Sequence, residues 1–307
     1  MSSTPDISTP ASRIDILWVL AHPDDESFGN AGTMLLAADA GITTGLVCAT
    51  RGEVGEIRDP ALATPATLGA VREQELRSAM RLAKLTELRL LGFRDSGMAG
   101  TPENDDPRAF INVPMDTAVA HVVSHIRELR PRVVVTFGPD GVYGHPDHIR
   151  IGAVTDEAVL AAARDDQPGL GAPWRIDALY HVASPREQLL RMRSHPESPF
   201  AKMSEEEVAR FGTPAAEITH WIDVASKLTA KHAVLMQHRT QISRDNPLTD
   251  LNSDVIRTRF GRETYARVSL PWDATDASPD PLARLEATFP ATREPFPASA
   301  AATEVNA

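Results

Sequence analysis

A chain of 307 residues with 42% hydrophobic content has the apolar material for a sizeable core and lies outside the composition of disordered chains. Its 31 basic residues against 42 acidic ones give a net charge of −11 with no basic block, which argues against nucleic acid or an anionic membrane as main partner. A single cysteine, Cys48, excludes an intramolecular disulfide framework; in the apolar run Gly45 to Thr50 it reads as a small buried core residue.

Residues 1–12 are rich in Ser, Thr and Pro, lack the basic and apolar regions of a signal peptide, and are expected to form a disordered tail. Strands are predicted over Ile14 to Ala21, Thr43 to Thr50, Glu87 to Phe93 and Arg132 to Phe137. Helical patterns lie between them at Ala31 to Ala40, Thr67 to Leu85 and Pro114 to Leu129. A further helix runs to about Arg164 with Pro146 in its first turn, followed by a Gly/Pro loop at Gln167 to Pro173. Strands at Ala178 to Ala183 and Ile218 to Val224, a helix from Ser226 to Gln237 and a polar loop from Arg239 to Asn252 complete the expected elements. The stretch 289–307 reads as a second disordered tail, leaving one domain over 13–288. No stretch approaches the ~20 apolar residues of a transmembrane helix, and a cytoplasmic location is expected.

The early strands are nearly continuous hydrophobic runs, as expected when helices cover both faces of a sheet. The fold class is therefore α/β: a doubly wound, mostly parallel Rossmann-like sheet with helices on both faces. Such sheets bind ligands beyond the carboxyl ends of their strands. Two polar clusters fall there. Ala21-His22-Pro23-Asp24-Asp25-Glu26 follows the first strand, and His145-Pro146-Asp147-His148 follows the strand ending at Phe137. Acidic residues and imidazoles beside a core are costly unless their charge is compensated, and a divalent metal is the commonest compensator.

His22, Asp25 and His148 are expected to bind one ion, leaving a solvent position open as catalytic sites require. Zinc in that place would lower the pKa of water to about 7. Asp24, adjacent to a ligand, is the candidate general base. His145, three residues before His148, is a candidate to stabilise an oxyanion or protonate a leaving amine, with Asp147 to orient it and raise its pKa. Tyr143 offers a phenol on a glycine-flanked loop. The competing use of Asp24, Asp25 and Glu26 is to cap the following helix, which does not call for His22. His121 and His125 also have ligand spacing, but they project away from the apolar face of their helix and read as surface residues. His181, His220 and His232 are lone histidines with weak signals; of the lone histidines only His238, beside the polar loop, is a candidate for the substrate.

Taken together, AHPDDE after one strand and GHPDH after another resemble the zinc-dependent N-deacetylases of the PIG-L/LmbE type, which act on N-acetylglucosamine-containing molecules. The resemblance covers roughly residues 14 to 160 and extends more loosely to about 270. It implies that His22, Asp25 and His148 hold zinc, that Asp24 is the base, and that His145 is the electrostatic catalyst tuned by Asp147. Tyr143 would be a mobile oxyanion contact, and Arg72 and Asp95 would reach sugar hydroxyls; for Arg72 and Asp95 the alternative is a surface ion pair. Glu53 and Glu56 are weaker candidates. The chain departs from mycothiol-pathway members at Gly141-Val142, where those carry a second glycine before the tyrosine.

The expected function is hydrolytic removal of an N-acetyl group from a small amino-sugar conjugate. Ferrous iron suits the same ligands as zinc. An iron dioxygenase using His22, Asp24 and His148 fits the βα alternation poorly. An amidase of a related thiol-sugar conjugate, and a non-catalytic metal-bound sugar-binding module, are the other readings. A homo-oligomer is compatible with all of them.

Overall fold

The structure is a computed structural model and describes residues 13–193, 200–243, 250–251, 257, 260–273 and 278–293. Seven strands form one sheet: β1 (Ile16–Leu20), β2 (Thr44–Thr50), β3 (Glu87–Phe93), β4 (Val133–Phe137), β5 (Ala178–Val182), β6 (His220–Asp223) and β7 (Arg262–Val268). Their spatial order is β3-β2-β1-β4-β5-β7-β6. The first five run parallel, and β7 pairs antiparallel with both β5 and β6. The chain builds outward from β1 to β3, then crosses back to lay β4 beside β1. The carboxyl ends of β1 and β4 therefore flank the point where the winding reverses, the crevice in which such sheets bind ligands.

Residue choice follows this arrangement. Every residue of β1 (ILWVL), β2 (TGLVCAT) and β4 (VVVTF) is buried, because helices cover both faces. On the covering layers lie α1 (Asp25–Gly29), α2 (Ala31–Asp39), α3 (Leu68–Leu82), α4 (Met115–Leu129), α5 (Gly141–Gly144) and α6 (Pro146–Ala162). Then come α7 (Arg186–Met192), α8 (Glu205–Val208), α9 (Leu228–Leu235) and α10 (Pro281–Thr288). Helix α6 lies tight on β4: a Cβ at Gly152 would stand 2.5 Å from the Phe137 carbonyl oxygen, so only glycine permits the approach. On α4, His121 is exposed and His125 half-buried near Glu128, both outside the site. Among the described residues no helix is long and apolar enough to cross a membrane.

The predicted strands and long helices are present with ends moved by a few residues. The short helices α1, α5, α7 and α8 were not predicted, nor were strand β7 and helix α10. Strand β7 carries Arg262, Glu263 and Arg267, which break any apolar run. Glu263 is nonetheless buried because Lys231 of α9 pairs with it at 2.6 Å and its carboxylate accepts the Gly32 and Thr33 amides at the start of α2. Helix α10 starts at the N-cap Asp280, whose side chain accepts the Leu282 and Ala283 amides. The stretch expected as a tail from 289 begins against the sheet: the Phe289 carbonyl accepts the Asp223 amide, and Pro290 bridges to Ile222. Residues 1–12 and 294–307, and residues 244–249 and 252 of the loop expected at 239–252, lie outside the described residues.

Candidate active site

The two histidine clusters meet. Beyond β1, His22 Nδ1 lies 3.1 Å from His148 Nε2, although 126 positions separate the residues. Asp25 Oδ1 is 3.1 Å from the same His148 nitrogen, and its Oδ2 is 3.8 Å from His22 Nδ1. Two atoms held by zinc at tetrahedral angles, each about 2.0–2.1 Å from the ion, stand roughly 3.3 Å apart, so the spacing fits. The far nitrogen of each imidazole is engaged. His22 Nε2 is 3.2 Å from Asp147 Oδ2 and 3.6 Å from Asp95 Oδ1, and His148 Nδ1 is 3.2 Å from the Gly141 carbonyl. Metal-binding histidines are oriented by such partners. Asp25 Oδ2 accepts the Ala21 and His22 amides, fixing the carboxylate, and the His148 ring stacks on Phe137 at 4.0 Å. Donor atoms of His22, His145 and His148, and of His22, Asp95 and Asp147, also cluster within 4.8 Å.

Buried carboxylates surround the imidazoles. Burial alone would lower the pKa of His22, but Asp95, Asp147 and Asp25 raise it well above its ordinary value. Burial pushes Asp25 up, yet His148 and His22 outweigh it and hold the carboxyl below the usual range. Asp24 is different. Burial raises it to about 6 despite the opposing charge of Arg72. Its backbone sits at φ 130°, a region a non-glycine residue occupies only under constraint. Burial pushes the Tyr143 phenol well above its usual range, so it stays protonated.

Several expectations need revision. Asp24 occupies the N-cap of α1 but its side chain makes no capping bond, so capping does not account for it. Asp147 does not orient His145 through its carboxylate: Oδ2 faces His22 and accepts the Ser96 amide, while Oδ1 has no partner. The link to His145 is the Asp147 amide, which donates to His145 Nδ1 and makes the imidazole the N-cap of α6. That bond places the neutral ring's proton on Nε2. Nor is the His145 pKa raised; burial, with His22 and His148 adding to it, lowers it to about 2.

Arg72 does not form a surface ion pair. It is buried, and its guanidinium donates to Asp24 Oδ2 at 3.2 Å, to the Pro23 carbonyl and to the Gly52 carbonyl. Asp95 is also buried; its Oδ1 accepts the Gly97 amide and its own amide donates to Glu53. Glu56 is exposed and pairs with Arg58. The Tyr143 ring packs at 5.1 Å from His148 and 6.1 Å from His145, among Leu189, Phe200 and Val208. Just before it, Val142 adopts φ 69° and ψ −47°. His238 is fully buried and bonds Glu26, for which the sequence suggests only a helix-capping use. A cavity of ≈ 670 Å³ lies alongside, lined by Arg51, Glu53, Val54, Leu68, Arg94 and Glu103 among others.

The family described as GlcNAc-PI de-N-acetylase, PIG-L, matches residues 17–159, a span that carries both histidine clusters. The 1D-myo-inositol 2-acetamido-2-deoxy-alpha-D-glucopyranoside deacetylase of Geodermatophilus obscurus is 39% identical over 275 residues, covering 85% of this chain and 93% of the relative. The N,N'-diacetylchitobiose deacetylase of Pyrococcus horikoshii has a similar fold, with a TM-score of 0.59 at 18% identity over 86% of this chain and 87% of that one. A conserved protein of Thermus thermophilus matches with a TM-score of 0.56 at 23% identity, over 85% and 100% of the two chains. Likeness at those identities is one of fold. Shared sequence over most of both chains, with the histidine clusters inside the matched span, places this chain in the PIG-L family.

Proposed function

We propose that this chain is a zinc-dependent N-deacetylase of a GlcNAc-containing small molecule, with 1D-myo-inositol 2-acetamido-2-deoxy-alpha-D-glucopyranoside as its substrate. The single observation that carries the chemistry is the convergence of His22 Nδ1, His148 Nε2 and Asp25 beside a carboxylate, Asp24, that is free of the ligand set. The substrate rests on the relatives bearing that name.

His22, Asp25 and His148 would hold the ion. When bound there, zinc supplies Lewis acidity, which polarises an amide carbonyl and lowers the pKa of a coordinated water to about 7. Asp24 takes the proton of the attacking water, and Arg72 aims its carboxylate. The proton Asp24 accepts is the one the departing amine needs, so the sum is amide plus water giving amine plus acetate. His145 presents its Nε2–H as a neutral donor to the oxyanion, its Nδ1 being occupied by the Asp147 amide. Asp147 serves His22. Tyr143 adds a second donor, its phenol hydroxyl.

Asp95, and the Arg72 Nε that has no protein partner, are assigned to substrate hydroxyls. Glu53 joins Asp95 to the neighbouring cavity, whose mixed charges and small apolar side chains suit a neutral polyol. The test is Asp24→Ala: amine release from the acetylated substrate should be abolished with metal content retained. An active variant would remove Asp24 from the role of base.

A further inference from the structure

Glu26 and His238 form a buried pair that the chemistry above does not use. Both are fully buried, and His238 Nε2 lies 2.6 Å from Glu26 Oε1 across 212 positions. Ser27 Oγ donates to the same oxygen. The other oxygen, Oε2, accepts the backbone amide of Asp24 at 3.0 Å. Asp24 is the residue held at φ 130°. A conformation of that kind is unfavourable for a non-glycine residue and persists only where surrounding contacts impose it.

The turn that carries His238 also reaches α3. Two positions on, the Thr240 amide and hydroxyl bond the Glu75 carboxylate at 2.8 and 2.6 Å. Glu75 stands one turn along α3 from Arg72, whose guanidinium grips Asp24 Oδ2. One short segment after α9 thus braces both holds on Asp24: the backbone hold through Glu26, and the carboxylate hold through the helix that presents Arg72.

We infer that Glu26 and His238 are positioning residues that fix the direction of the Asp24 carboxylate by holding its backbone amide from behind. The inference rests on Asp24 as the base. A buried pair of purely structural importance would cost stability, metal and substrate binding together; a positioning pair acts on turnover. A displacement of about 1 Å in a reacting group costs roughly 100-fold in rate.

The experiment compares His238→Ala, His238→Gln and Asp24→Ala as zinc-loaded full-length protein, reading kcat, KM and zinc content. Gln keeps an N–H donor near the place of Nε2. His238→Ala should lose about 100-fold in kcat with KM within about threefold and full zinc, and His238→Gln should recover at least tenfold of it. Wild-type kcat in His238→Ala, or equal losses in Ala and Gln variants together with lost zinc, overturns the inference. If His238→Ala does not fold, Glu26→Gln decides: having one acceptor oxygen where Glu26 has two, it should lose at least tenfold in kcat at unchanged KM, and wild-type kcat overturns the inference. Asp24→Ala separates the two levels. An inert Asp24→Ala with an unaffected His238→Ala refutes the positioning pair alone, whereas an active Asp24→Ala refutes the base.

Discussion

Gly152→Ala probes how the fold sets the metal geometry, because it adds one methyl where α6 meets the end of β4. The new Cβ would lie 2.5 Å from the Phe137 carbonyl oxygen and 3.2 Å from its carbon, both backbone atoms. Ordinary van der Waals contact begins at 3.4 Å, so α6 must retreat by about 0.9 Å. His148 stands on that helix one turn before Gly152, with its ring stacked on Phe137. The retreat therefore pulls one imidazole away from His22 and Asp25. Overpacking costs about 1–3 kcal/mol, and the better helix propensity of alanine returns about 1. A net destabilisation of up to about 2 kcal/mol is expected in chemical denaturation of the metal-free protein. Zinc affinity should fall at least tenfold in competition with a chromophoric chelator, and rate should fall with it. A Gly152→Ala protein as stable as the parent, with unchanged zinc affinity, would refute the argument that this close approach places His148.

Three further outcomes follow from particular contacts. Val142→Gly relieves a β-branched residue from φ 69° and should stabilise the fold by about 1 kcal/mol in urea titration, while loosening Tyr143 and lowering kcat. A loss of stability would mean that the valine is not strained. Lys231→Met leaves Glu263 buried without its cation and should cost about 3–5 kcal/mol, measured by the same titration; a cost under about 1 would show that the Gly32 and Thr33 amides suffice. Chelation should abolish amine release and lower the melting temperature, and stoichiometric zinc should restore both, as binding to the native state alone requires. Chelated protein that keeps full activity would exclude a metal mechanism.

What the sequence made legible was local. Strand β3 occupies the predicted Glu87–Phe93, and both histidine clusters could be placed at strand ends because each motif is contiguous and follows an apolar run. The parallel core was equally readable, since strands buried on both faces write themselves as unbroken hydrophobic segments. The features that escaped depend on partners far along the chain. Strand β7 was hidden by Glu263, whose compensating Lys231 lies on another element. The role of Glu26 was hidden because its partner His238 lies in a turn with no motif of its own. Asp147 was assigned to its neighbour His145 by adjacency, but at a helix start the backbone amide bonds the N-cap ring while the carboxylate turns to His22. Arg72 could be tied to the site only by resemblance, and in the structure its guanidinium bonds Asp24 Oδ2.

The proposed chemistry needs one ion shared by the ends of β1 and β4, and an anomalous difference map at the zinc edge looks for that ion. In crystals grown with zinc, one strong peak is expected about 2.0–2.2 Å from His22 Nδ1, His148 Nε2 and an Asp25 oxygen, with Asp24 outside the coordination sphere. A peak ligated by His145 or Asp147 in place of Asp25, or no peak between the two strand ends, would contradict it.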